Sequence, residues 1–348
     1  MPVSATELKA HARELGFVRA GIAQATHLER EALHLRQWLA RDFHGDMHYM
    51  ANHAEERCDP RMEGILPEAR SMIVLAAAYA SARSQTHGPR PLQVARYAQG
   101  RDYHKVLKRR AWQLAHLLQQ EGFHARVAVD TMPVFERAWA QRAGVGFVGK
   151  NCCLIVPGLG SYVFLAVIVS DAPLTADTPM ASRCGRCRAC LDMCPTDAFA
   201  DAYQLDARRC IAYLTIEKRG AIAPELRSGI GSWAFGCDIC QEVCPFNHTA
   251  HQADCLEAFA PDPRWTDADA ADALGMGEEA FAQYAQGSPI KRARREGFAR
   301  NVAIGLGNTG DKRYLPLLHQ SACNDDSAVV RESAAWACAQ LSATPPTR

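Results

Sequence analysis

The chain has 348 residues, room for two or three domains at roughly 100–200 residues each, and 48% of them are hydrophobic, so sizeable cores can form. The formal net charge of +1 creates no global field toward nucleic acid or anionic lipid, so any basic patch must be local. Fourteen cysteines occur without an apolar leader between Met1 and Gly16, a twin-arginine signal or a run of about 18 apolar residues. These features point to a cytoplasmic protein away from membranes that keeps its thiols for metal or catalysis.

In chain order, Met72 to Tyr79 is a short apolar run expected as a buried strand. Lys105 to Glu121 has helical spacing, with Val106, Leu107, Trp112, Leu114, Leu117 and Leu118 near one face and Gly122 as the stop. Arg126 to Val129 reads as a strand, and Val134 to Arg142 as a helix with Pro133 in its first turn and Gly144 at its end. Tyr162 to Val169 is a further strand, which gives an α/β first domain. The cysteine-dense stretch from Cys184 to Cys255 is broken by proline and glycine, cannot build a large apolar core, and is expected to need cofactors to fold. From Gly287 the chain is rich in alanine and leucine. Arg300 to Leu306 aligns with Arg331 to Ala337 at a spacing of 31 residues. Turns are expected at Gly307 to Gly310 and Asn324 to Asp326, a pattern of one or two HEAT-type helical repeats.

Cys184, Cys187, Cys190 and Cys194-Pro195 form C-x2-C-x2-C-x3-C-P, the spacing of bacterial double-cluster ferredoxins. Three thiolates on one tight turn can face one 4Fe-4S cubane, while the fourth belongs to the other cluster. Cys237, Cys240 and Cys244-Pro245 form a second, partial run, and Cys210 can supply its missing thiolate. One cluster is therefore expected on Cys184, Cys187, Cys190 and Cys244, and the other on Cys194, Cys210, Cys237 and Cys240. Structural zinc also uses C-x2-C pairs, but it explains neither the triple spacing nor the two Cys-Pro ends. Cys58, Cys152, Cys153, Cys255, Cys323 and Cys338 are expected mostly as small buried hydrophobes.

The clusters follow more protein than an electron carrier needs, which suggests a catalytic module wired to them. Asp130 ends the strand before the helix near Pro133, where side chains of α/β sheets tend to line ligand crevices. A buried carboxyl there can act as a general acid. Taken alone, the residues favour the plainer role, Asp130 or Thr131 as a helix cap. Gly144, Gly146 and Gly149 follow a helix rather than a strand and so fail the context for a dinucleotide turn. His48 and His104 stand in Asp-x-His contexts, but Ala51 and Leu107 occupy the position where a corrinoid-ligating motif has glycine.

Arg96 to Leu107, Val129 to Ala138 and Gly144 to Asn151, followed by the double cysteine array, Tyr213 to Glu217, Gly287 to Arg292 and Arg300 to Asn308, form an ordered set across nearly the whole chain. In this set the chain resembles the epoxyqueuosine reductases, which complete queuosine synthesis in tRNA. The resemblance implies an α+β multidomain protein. An α/β cobalamin-binding catalytic domain related to reductive dehalogenases would span residues 1–175, a ferredoxin-like domain with two 4Fe-4S clusters residues 176–256, and a HEAT-like helical tRNA-binding tail residues 257–348. It implies base-off cobalamin with no protein histidine beneath the cobalt, Asp130 as proton donor beside the cofactor, and Arg57 as a cofactor contact. Gln93, Val94 and Ala95 stand where some relatives have a cysteine, so no thiolate contact to cobalt is expected.

The implied reaction removes the oxygen of epoxyqueuosine at the tRNA wobble position, with electrons passing from the clusters to cobalamin. The expected partners are a tRNA anticodon stem-loop carrying epoxyqueuosine and an external low-potential electron donor, with the protein a monomer. Lys218, Arg219, Lys291, Arg292, Arg294, Arg295 and Arg300 are the candidate phosphate contacts, although a charge run is usually a solvated helix face. The alternatives are a soluble, dehalogenase-like reductase of a small molecule and a non-catalytic electron-transfer protein.

Overall fold

The computed structural model describes residues 4–80, 90–251 and 254–343. The outermost residues of the expected first and third domains, 1–3 and 344–348, lie outside the described residues. The first part is built on a four-stranded sheet in the order Arg19–Gln24, Ser71–Ala78, Val163–Ser170, Ala125–Ala128. Every residue of Ser71–Ala78 is buried because both faces of that strand are covered. Ile73, Leu75 and Ala77 pack with Leu107, Leu114 and Leu118 on one side, while Met72, Val74 and Ala76 meet Leu28 and Trp139 on the other. This explains an unbroken apolar run where a half-exposed strand would alternate.

The strands expected from sequence are present, but every neighbouring pair in the sheet is antiparallel, which corrects the α/β expectation. Ser71–Ala78 and Ala125–Ala128 do run parallel and have the helix Tyr103–Gln120 between them in the chain. Val163–Ser170 returns through the gap and pairs antiparallel with both. Local periodicity is blind to such a long-range insertion. Asp102 caps the helix Tyr103–Gln120 by accepting from the His104 backbone N–H at 3.1 Å, and Gly122, at φ +89°, ends the turn beyond it.

The segment after Ala125–Ala128 departs from expectation. The helix starts at Glu136, with Phe135 at its N-cap position and no side-chain cap bond. Pro133 therefore precedes the helix, and neither Asp130 nor Thr131 caps it.

Two short helices, Ala189–Asp192 and Ile239–Glu242, carry the cysteine turns, joined by the hairpin Phe199–Asp201 with Gln204–Leu205 and the helix Ile211–Ile216. In the tail, Arg294–Asn308 and Ala328–Ala343 pack together, with Leu315–Asn324 between them in sequence. Gly307 and Asn308 are helical, so the first turn falls later than expected. A Cβ on Gly307 would lie 2.7 Å from that of Ala337, so glycine permits the close helix crossing. One apolar core joins the tail to Leu92, Val94 and Phe235, and Trp233–Phe235 pairs parallel with Gln93–Val94. Among the described residues, no helix is long and apolar enough to cross a membrane.

Candidate active site

A cavity of about 1260 Å³ opens between the early helical segments, the Asp130 loop and the start of the cysteine domain. Its lining includes Arg30, His34, Tyr49 and Arg57, then Asp130, Glu136 and Arg137, then Cys152, Ser182 and Tyr203. The volume exceeds the roughly 300–1,000 Å³ typical of small-ligand pockets. Arg57 donates to the Tyr49 carbonyl at 2.9 Å, but its Nε is buried without a hydrogen-bond partner. Burial holds the Arg57 guanidinium below its ordinary value. A cavity of this size suits a large ligand.

Asp130 sits on the cavity rim at φ +55°, outside the usual range for a residue with a Cβ. Its backbone N–H donates to Glu136 Oε1 at 2.9 Å, which holds the turn. Tyr103 Oη donates to Asp130 Oδ2 at 2.7 Å, and His104 Nε2 lies 3.5 Å from the same oxygen. His104 Nδ1 is 2.6 Å from Asp102 Oδ1, and Lys291 Nζ is 3.4 Å from Asp102 Oδ2. Burial pushes the Asp130 carboxyl up, but hydrogen bonds from His104 and Tyr103 outweigh it and hold the group below the usual carboxylate range. Hydrogen bonds to Asp102 and Asp130 raise His104 to about 9, and the His104 bond lowers Asp102 to about 2. Burial, with the Asp130 charge beside it, raises Glu136 to about 7.

Sequence reasoning singled out Asp130 but missed Asp102, Tyr103, Glu136 and any role for His104 beyond metal ligation. The available signal was the Asp102-Tyr103-His104 sequence at a helix start, where consecutive side chains fan toward one strand end.

The eight cluster cysteines fall into two neighbourhoods. Burial raises Cys190 to about 11, with Cys184, Cys244 and Cys187 adding to the rise. Burial also raises Cys237, with Cys210 and Cys194 among its neighbours. Cys240 is raised first by a hydrogen bond with Cys153 and then by burial, with Cys237 and Cys210 nearby. Cys153 also joins the second group through its hydrogen bond with Cys240. Of the other cysteines, Cys58 and Cys338 are buried as expected, whereas Cys255 and Cys323 are exposed.

The candidate phosphate contacts divide. Arg300 is 1% exposed and donates to the carbonyls of Leu214, Lys218 and Gly220, so it braces the fold. Arg295 is also buried, forked onto Asp325 at 2.6 and 2.5 Å. Both are corrected from RNA contacts to internal supports, because their helix is enclosed by neighbouring elements. Arg292 and Arg294 are exposed, as is Lys291. Arg292 is forked onto Glu217 and lies 5.8 Å from the Tyr49 ring at the cavity. Lys218 pairs with Asp46 at 3.1 Å, and Arg219 donates to the Arg292 carbonyl.

Residues 183–247 match the family model of a 4Fe-4S double cluster binding domain, and residues 57–131 match that of epoxyqueuosine reductase QueG, DUF1730. The epoxyqueuosine reductase of Xanthomonas campestris pv. campestris is 43% identical over 97% of this chain and 96% of its own length. A solved epoxyqueuosine reductase with a tRNA-Tyr epoxyqueuosine-modified stem loop is 30% identical, with a TM-score of 0.89 over 97% of this chain and 89% of that one. The Bacillus subtilis epoxyqueuosine reductase, solved with its aspartate catalytic loop swung out of the active site, is 30% identical. It has a TM-score of 0.87 over 97% of this chain and 90% of its own.

Proposed function

The chain belongs to the epoxyqueuosine reductase family, and on that premise we propose how its residues convert epoxyqueuosine to queuosine at the wobble position of tRNA. The change removes the epoxide oxygen as water and consumes two electrons and two protons. Cys184, Cys187, Cys190 and Cys244 would hold one 4Fe-4S cluster, and Cys194, Cys210, Cys237 and Cys240 the other, so that electrons from an external low-potential donor arrive singly. The large cavity, with Arg57, Ser182 and Tyr203 among its polar lining residues, fits a base-off cobalamin, which would supply strongly reducing, nucleophilic cobalt at the epoxide.

The observation that carries the mechanism is Asp130 on the cavity rim, with Tyr103 and His104 on one carboxyl oxygen. Its Oδ1 is left for the substrate oxygen, and a proton delivered there converts a poor alkoxide leaving group into a hydroxyl and then into water. Glu136 holds the loop that presents Asp130. The modified base would be splayed from its loop into the cavity while Lys291, Arg292 and Arg294 face the phosphates. Neither a small-molecule reductase nor an electron carrier accounts for a full-length match to relatives that include one solved with a modified tRNA stem loop.

Anaerobic reduction of the cobalamin-loaded protein with epoxyqueuosine tRNA, followed by mass analysis of nucleosides, should yield queuosine. Asp130→Asn should keep iron and cobalamin absorbance yet lose about 10²–10⁴-fold in turnover, the usual worth of a general acid. Near-normal turnover in that variant sinks the acid assignment.

A further inference from the structure

We propose that Asp102 and His104 form the proton-supplying pair that reloads Asp130 during each turnover. The proposal rests on Asp130 being the group that protonates the substrate oxygen. One oxygen atom must collect two protons before it leaves as water, and a single carboxyl holds only one. A supply line to Asp130 is therefore required within the cycle.

The geometry provides one. Asp102 Oδ1 lies 2.6 Å from His104 Nδ1, which fixes Nδ1 as a donor and leaves Nε2 as the exchanging nitrogen, 3.5 Å from Asp130 Oδ2. Tyr103 locks this arrangement. Its ring stacks on His104 at 4.1 Å and on Phe164 at 4.3 Å, while its hydroxyl donates to Asp130. Side-chain exposure rises from 12% at Asp102 through 32% at His104 to 64% at Asp130, so the line runs from the interior to the cavity.

The charges around the pair keep the resting proton on His104, so it moves to Asp130 only as the opening substrate oxygen draws on it. Asp102 and Asp130 face His104, and Lys291 faces the far oxygen of Asp102. Around Asp130 stand His104, Tyr103, Arg137 and Glu136, with Arg57, Tyr49 and Arg292 within electrostatic reach. The balance leaves His104 protonated to about 9 and Asp130 below the usual carboxylate range. At neutral pH the proton thus waits on the imidazole. In each pass the His104 Nε2–H bond breaks as an Asp130 O–H bond forms, that O–H bond breaks as the substrate O–H bond forms, and solvent then reprotonates His104. No electrons move in these steps. Glu136 does not serve as this donor, because its contact is to the Asp130 backbone N–H.

The test is the pH profile of kcat for the holoenzyme on epoxyqueuosine tRNA, with His104→Gln, Asp102→Asn and Asp130→Asn compared. A raised His104 supplies protons below its own value, so wild-type turnover should hold through neutrality and fall as pH rises through about 9. His104→Gln should lose about 10²-fold at neutral pH with an unchanged KM, and recover as pH falls toward the range of Asp130 itself. Asp102→Asn keeps a side chain that caps helices well, and should move the alkaline limb down toward the ordinary imidazole value of about 6.5. Nitrogen NMR of the His104 ring provides a readout independent of turnover, with titration near 9 expected in the wild type and a lower value in Asp102→Asn. An inactive Asp130→Asn beside His104→Gln and Asp102→Asn variants with wild-type pH profiles overturns the supply pair and leaves Asp130 as the acid. An active Asp130→Asn overturns both.

Discussion

Replacing Arg292 and Arg294 together with glutamine tests whether the tail faces RNA. Both side chains are exposed on the surface that continues to the cavity through Tyr49. Each phosphate contact contributes roughly 0.7–0.9 to the slope of log affinity against log salt, because neutralising a phosphate releases condensed counterions. Losing two contacts should flatten that slope by roughly 1.4–1.8, so raising salt from about 50 to 200 mM should weaken the variant about tenfold less than the wild type. The structure adds an asymmetry. Arg292 already neutralises Glu217, so its loss also exposes a carboxylate beside the RNA path and should lower affinity at every salt concentration. Among the described residues no carboxylate forms an ion pair with Arg294, so it should act mainly through the slope. Fluorescence anisotropy with a labelled anticodon stem-loop over that salt range reads both effects. A double variant with the wild-type slope and wild-type affinity would show that these are ordinary surface charges.

Arg295→Gln should behave differently: it strands Asp325, whose side chain is 4% exposed, and should cost about 3–5 kcal/mol of stability by denaturant titration, with the salt slope of the surviving folded protein unchanged. Cys184→Ala and Cys237→Ala remove one thiol from each of the two groups, and iron analysis should show a loss in both variants along with loss of reduction; unchanged iron in either would remove that cysteine from the ligand set.

The strands and helices of the first domain were legible because their apolar spacing is local: Leu107, Leu114 and Leu118 line one helix face, and Met72 to Ala78 fill a central strand. Sheet order was not, since Val163–Ser170 inserts between two strands that look sequential. The double-cluster domain was legible from cysteine spacing, since residues 183–247 match that family model. The proton pair was hidden for a different reason. Asp102, Tyr103 and His104 look like an ordinary helix start until the strand carrying Asp130 is brought beside them. Arg295 and Arg300 were misread because a charge run states nothing about enclosure. The helix Arg294–Asn308 is buried on nearly every side, so two of its cations satisfy carbonyls and a carboxylate inside the protein.

The tail also bears on catalysis through its attachment. The Asp102 N–H donates to the Gly287 carbonyl at 2.7 Å, the Arg101 N–H to Ala258 at 2.9 Å, and the Asp262 N–H to Gln99 at 2.8 Å. A Cβ on Gly100 would lie 2.8 Å from the Phe259 backbone, so glycine is what allows this close seating. The stretch that presents Asp102 and His104 to Asp130 is thus fastened from behind by the chain beyond Leu256. Lys291, one residue from Arg292, adds a charge contact to the same aspartate. A cation bound to Asp102 cannot be wholly committed to a phosphate. RNA that draws Lys291 away would strengthen the hold of Asp102 on the His104 proton, and RNA that leaves it in place would weaken that hold. If Lys291 faces the nucleic acid as proposed, the same ammonium group would also set how readily the imidazole gives up its proton, and would couple substrate docking to proton supply.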